Sequence, residues 1–136
     1  MLGIKNVELI TAKINDFTIG DLKFVTALNY KVEIDTVHLF DEHNHASLII
    51  NFVLVPKYSD APKYMVTICF KKLGSVHLSA DGTVIQLSGF EILDIADRGW
   101  DAIKYLVRDF ENEDTFKFYC NEIEVIGIEE IEWIVG

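Results

Sequence analysis

Along this chain polar and apolar residues alternate in short runs, and the dominant period is two. In Tyr64–Phe70 the residues Tyr64, Val66, Ile68 and Phe70 fall on one side of an extended backbone, with Met65, Thr67 and Cys69 on the other. Ser47–Val55 is apolar on both sides, which predicts a strand in the middle of a sheet. Val7–Ile14, Phe24–Ile34, Thr36–Phe40 and Phe90–Ala96 add further extended segments, separated by turn formers such as Gly20-Asp21 and Asp97-Arg98-Gly99. Repeated short strands predict an all-β, mainly antiparallel fold, a sandwich or a barrel, in a single domain over residues 1–136.

The sharpest local signal is Asp81-Gly82, which suits the positive φ angles of a two-residue hairpin turn. With Ala80 opposite Thr83, Leu78 would meet Ile85 and Val76 would meet Leu87 on one face, leaving His77 opposite Gln86 on a polar one. Pro56–Pro62 reads as a loop. Two places admit a short helix, near residues 97–110 and 128–134. Trp100, Ile103, Leu106, Val107 and Phe110 fit helical spacing, but Tyr105-Leu106-Val107 favours a strand over Lys104–Phe110, with a tight turn at Glu111–Asp114. Ile128–Ile134 fits an edge strand or one helical turn. Between them the apolar parity changes, from Phe116, Phe118 and Cys120 to Ile123 and Val125, so the chain must bulge or bend near Asn121 if both sets face the core. Glu122 and Glu124 would then point outward.

Composition sharpens this outline. Half of the 136 residues are hydrophobic and only two are proline, which suits a chain that folds alone and excludes a disordered one. The longest apolar run, Leu48–Val55, is too short to span a membrane as a helix, and Met1–Ile10 lacks the basic start and apolar middle of a secretory signal. A cytoplasmic protein is the expectation. Charge is unevenly placed: Met1–Ser79 holds eight acids and eight bases, Ala80–Gly136 fourteen acids and four bases, so the formal charge of −10 belongs to the last 57 residues. Such a surface repels phosphate backbones and anionic lipids, which argues against nucleic-acid and membrane partners and for a basic protein.

Candidate chemistry is sparse. Asp41-Glu42-His43-Asn44-His45-Ala46 sets two histidines beside two carboxylates, with His38 close by; imidazoles at i and i+2 share a strand face, so His38, His43 and His45 are the candidate metal ligands. The His-x-His pair resembles that of cupins, which add a glutamate a few residues on, whereas Ala46–Asn51 contains no carboxylate. The polar tip of a hairpin joining Thr36–Phe40 to Ala46–Val55 explains the same residues. Cys69 and Cys120 each sit in an apolar run, which favours buried free thiols over a nucleophile, a disulfide or a zinc pair. Gly-rich phosphate loops, nucleophile elbows and His-Glu-x-x-His helices are missing from the sequence. The expectation is a protein without catalytic residues or a cofactor.

Gly89–Ile95, Gly99-Trp100, Tyr105–Glu111 and Phe116–Val125 together resemble the C-terminal half of small bacterial β-rich proteins, among them immunity proteins of polymorphic toxin systems. The resemblance covers strand cores and turn acids, carries no catalytic residue across, and implies a non-enzymatic binder. The leading expectation is therefore a binding protein that docks a basic partner through Asp109, Glu111, Glu113, Asp114, Glu122 and Glu124, with occupation of a toxin's cationic groove as one form of it. A small-molecule-binding barrel or sandwich lined by the rings of Tyr64–Phe70 and Phe116–Tyr119 is the alternative. A metal-dependent enzyme at His38, His43 and His45 is the third.

Overall fold

The computed structural model describes residues 3–33, 45–58, 60–80, 82–98, 103–111 and 115–132. They form two antiparallel sheets packed as an open sandwich. One sheet carries β1 (Leu22–Glu33), β2 (His45–Leu54), β3 (Lys63–Lys71), β5 (Ile85–Gln86) and β9 (Glu122–Ile131), in the order β5-β1-β2-β3-β9. The other carries β4 (Val76–Leu78), β6 (Phe90–Asp94), β7 (Tyr105–Asp109) and β8 (Phe116–Cys120), in the order β4-β8-β7-β6. The two sheets do not close into a barrel.

β2 lies in the middle of the larger sheet, as its two-sided apolar sequence requires. Leu48, Ile50, Phe52 and Leu54 face the core, and register sets Leu48 against Phe70, Ile50 against Ile68 and Phe52 against Val66. The next row outward continues with Ile68 against Val125 and Phe70 against Ile123. Rings fill the space between the sheets: Phe52 lies 5.1 Å from Phe90, Phe70 lies 4.9 Å from Phe118, and Phe116 lies 5.8 Å from both Phe90 and Phe118. Three of these four pairs meet edge to face, an arrangement worth about 0.5–1.5 kcal/mol each beyond the area buried.

The parity change at Asn121 is the point where the chain leaves one sheet and enters the other. Phe116, Phe118 and Cys120 are fully buried on β8, Ile123 and Val125 on β9, and the Asn121 amide donates to the Lys71 carbonyl at 3.1 Å. Ile128–Ile131 is strand, at the sheet edge, so the helical option there is set aside. Tyr105–Asp109 is also strand, and among the described residues of 97–110 the only helical turn is the end of a 3-10 turn at Ala96–Arg98.

Two expectations are corrected. Val7–Ile14 is not a strand: residues Glu8–Thr11 form a short helix, α1, which puts Ile10 and Ile14, four apart, into the core. Its neighbour Lys5 makes only one parallel bridge, to Glu124, so this segment gains more by folding on itself than by extending the sheet. The Asp81-Gly82 hairpin does not form either. Val76, His77 and Leu78 pair with Phe118, Lys117 and Phe116, while Ile85 and Gln86 pair with Val25 and Phe24 in the opposite sheet. Gly82 does adopt a positive φ of 93°, but its turn carries the chain from sheet to sheet. Strands of three and two residues make a poor isolated pair, and each finds a longer partner already in place.

Phe118 touches the ring cluster from the middle of β8, so Phe118→Ala should lower unfolding free energy by about 3–5 kcal/mol in urea titrations. A loss below about 1 kcal/mol would show that the rings do not set the sandwich's stability.

Candidate functional site

The six acids expected to form one surface have different fates. Asp109 is 1% exposed and is no docking residue: Oδ1 accepts the amides of Gly89 at 2.8 Å and Glu111 at 3.3 Å, and Oδ2 accepts that of Ser88 at 3.1 Å. It fastens the β5–β6 connection to the end of β7, where a buried carboxylate is tolerated because backbone donors surround it. Glu111 is exposed just beyond. Glu113 and Asp114 lie outside the described residues. Glu122 and Glu124 sit at the opposite end of the β7–β8 hairpin, since Tyr105, at the start of β7, pairs with Cys120.

There the two glutamates meet lysines from the neutral half of the sequence. Lys71 Nζ lies 2.7 Å from Glu124, Lys72 Nζ 3.3 Å from Glu122, and Lys5 Nζ 3.8 Å from Glu122. The hydrogen bond from Lys72, helped by the charges of Lys5 and Lys71, holds the Glu122 carboxyl below its ordinary range; the bond from Lys71 does the same for Glu124 and raises Lys71 in turn. Glu91 is likewise paired, with Arg108 at 2.7 Å. Exposed acids without a counter-ion among the described residues are found instead at the far end of β9, at Glu129, Glu130 and Glu132.

The other candidates resolve as follows. His45 opens β2 and is exposed, and His38 and His43 lie outside the described residues, among which no group of three or more metal-binding side chains occurs. Cys69 and Cys120 are buried and form no disulfide, and burial pushes the Cys120 thiol up to about 12, so it is protonated at neutral pH. Of the rings offered as pocket lining, Phe70, Phe116 and Phe118 are core, whereas Tyr64 and Tyr119 are half-buried and Tyr64 borders a hollow of about 350 Å³. No helix among the described residues is long and apolar enough to cross a membrane.

What the structure adds is on β1. This strand pairs with β2 from Leu22 to Glu33, yet β5 covers its other edge only at Phe24 and Val25. From Thr26 onward that edge has no strand beside it among the described residues. Leu28, Tyr30 and Val32 stand opposite Ile50, Leu48 and Ala46, and so share the core-side face of the sheet. Ile50 and Leu48 are buried, but Leu28, Tyr30 and Val32 are 37%, 59% and 46% exposed, because the smaller sheet does not reach this far. A hollow of about 530 Å³ opens where β5 stops, between Val25–Leu28 and the crossing that contains Ala80 and Gly82–Ile85. On the opposite face Lys31 lines up with Ser47 and Lys71, and these surround a hollow of about 300 Å³ with His45, Cys69 and Lys72.

Sequence reasoning placed β1 but not its exposure. Leu28-Asn29-Tyr30-Lys31-Val32 alternates like any half-buried strand, and whether the apolar side is covered depends on the extent of a different sheet. Comparisons with protein-family models, curated proteins and solved structures found no match to this chain.

Glu124→Gln should lower the melting midpoint at neutral pH by a few degrees at most, since the pair is partly exposed. Because the folded carboxyl titrates below its unfolded value, the parent's advantage is present above the ordinary carboxylate range and is lost as pH falls through the depressed one. On the alkaline side it fades as pH rises through the raised Lys71 value. Parent and variant midpoints that differ equally at every pH would refute the assignment.

Proposed function

We propose that this chain is a non-catalytic binding protein that takes an extended segment of a partner protein onto the open edge of β1. The observation that carries the reading is the coincidence, on one strand, of a backbone edge that no strand among the described residues covers beyond Val25 with the exposed stripe Leu28, Tyr30 and Val32. A long uncovered edge with an apolar face is a template for strand addition, and proteins usually blunt such edges. Main-chain hydrogen bonds from β1 would supply direction, and the stripe would supply the apolar surface that alternate side chains of the segment cover. Fully burying one such side chain is worth about 1.5–3 kcal/mol before ordering costs are subtracted, so three of them suffice for a reversible complex.

A second reading rests on Glu129, Glu130 and Glu132, which with the formal charge of −10 favour a basic partner at the end of β9. Toxin neutralisation through a cationic groove would take this form. It predicts that a basic protein is captured from a cell lysate at low salt, released at high salt, and not captured once the three residues are replaced by glutamine. Equal capture by parent and variant would overturn it.

The edge reading predicts that peptides selected from a random library bind with apolar residues at every second position. N-methylation of amides of one parity should abolish binding and of the other leave it intact, because alternate amides point toward β1. Tyr30→Ser should weaken binding about tenfold or more by titration calorimetry. Indifference to N-methylation at every position would eliminate strand addition.

A further inference from the structure

Resting on the edge reading of β1, we infer that the segment taken up is acidic: it alternates apolar residues, set against Leu28, Tyr30 and Val32, with aspartate or glutamate set against Asn29 and Lys31. The argument is the charge on the outer face. Residues Ala27, Asn29 and Lys31 share that face, opposite Asn51, Ile49 and Ser47 of β2. Lys31 is exposed and has no counter-ion among the described residues. Behind it stand Lys71, Lys72 and Lys5, which share Glu122 and Glu124 between them, and His45, whose backbone partner is Glu33 at the end of β1. Among the described side chains, four lysines and a histidine thus stand with two glutamates, Glu122 and Glu124, in a protein whose overall charge is strongly negative. A strand laid beside β1 would put every second side chain directly across from this locally positive face.

The same geometry speaks against a second copy as occupant. Antiparallel pairing of β1 with itself about Tyr30 would match Leu28 with Val32, which is acceptable, but it would set Lys31 opposite Asn29 and bring two positive faces side by side with no carboxylate gained. A basic segment meets Lys31 with like charge. An acidic one satisfies both faces at once.

Three short synthetic peptides with identical apolar positions and Glu, Ser or Lys between them would be titrated against the full chain by fluorescence anisotropy. The order Glu, then Ser, then Lys is expected, with about two- to fivefold between neighbours from each cross-strand pair. Lys31→Glu should reverse the order and Lys31→Ala should bring Glu and Ser together, with melting midpoints near the parent's because Lys31 supports no described contact. Equal affinities, or Lys tightest on the parent, would overturn the acidic assignment while leaving the edge reading standing. Failure of all three peptides to bind would overturn both. A Lys31→Ala variant that self-associates and keeps the parent's peptide order would show that Lys31 only guards the edge, which also overturns the inference.

Discussion

The seam of phenylalanine rings between the sheets decides where everything else lies. Phe52 and Phe70 belong to β2 and β3, and they are met from the other side by Phe90 and Phe118, with Phe116 between the latter two. Rings of this size can interlock only where both sheets present them, so the smaller sheet is held over the middle of the larger one. β1 extends beyond that overlap. Its uncovered stripe follows from where the rings are.

Much of this was legible in the residues. β2 was readable as central because it is apolar on both faces, β3, β6 and β8 were readable from their period of two, and β7, which also fitted helical spacing, from the run Tyr105-Leu106-Val107. The bend at Asn121 followed from a change of parity alone. The Asp81-Gly82 pair misled because turn chemistry is local: it announces that the chain reverses, and says nothing about which sheet receives the next strand. Val7–Ile14 misled for a related reason, since Ile10 and Ile14 satisfy a helical spacing as well as an alternating one.

Charge was the feature least readable in one dimension. A count along the sequence separates a neutral first part from an acidic second, yet antiparallel pairing of β3 with β9 brings Lys71 and Lys72 from the first beside Glu122 and Glu124 from the second. Asp109 shows the other limit, because a carboxylate enclosed by three backbone amides looks in sequence like any acid in a turn. Only acids with no opposing lysine in register, such as Glu129 and Glu130, retain the exposure that composition suggests.

The crossings from β3 to β4 and from β8 to β9 lie against each other. Gly74 donates to the Tyr119 carbonyl at 2.8 Å, Asn121 to that of Lys71, and Lys72 turns the corner with φ of 56°. The two sheets are thus stitched together at this corner by short crossings. The β4–β5 and β5–β6 crossings tie the same two sheets at the other end of the β7–β8 hairpin, where Asp109 holds the amides of Ser88 and Gly89, so the sandwich is clasped at both ends of that hairpin.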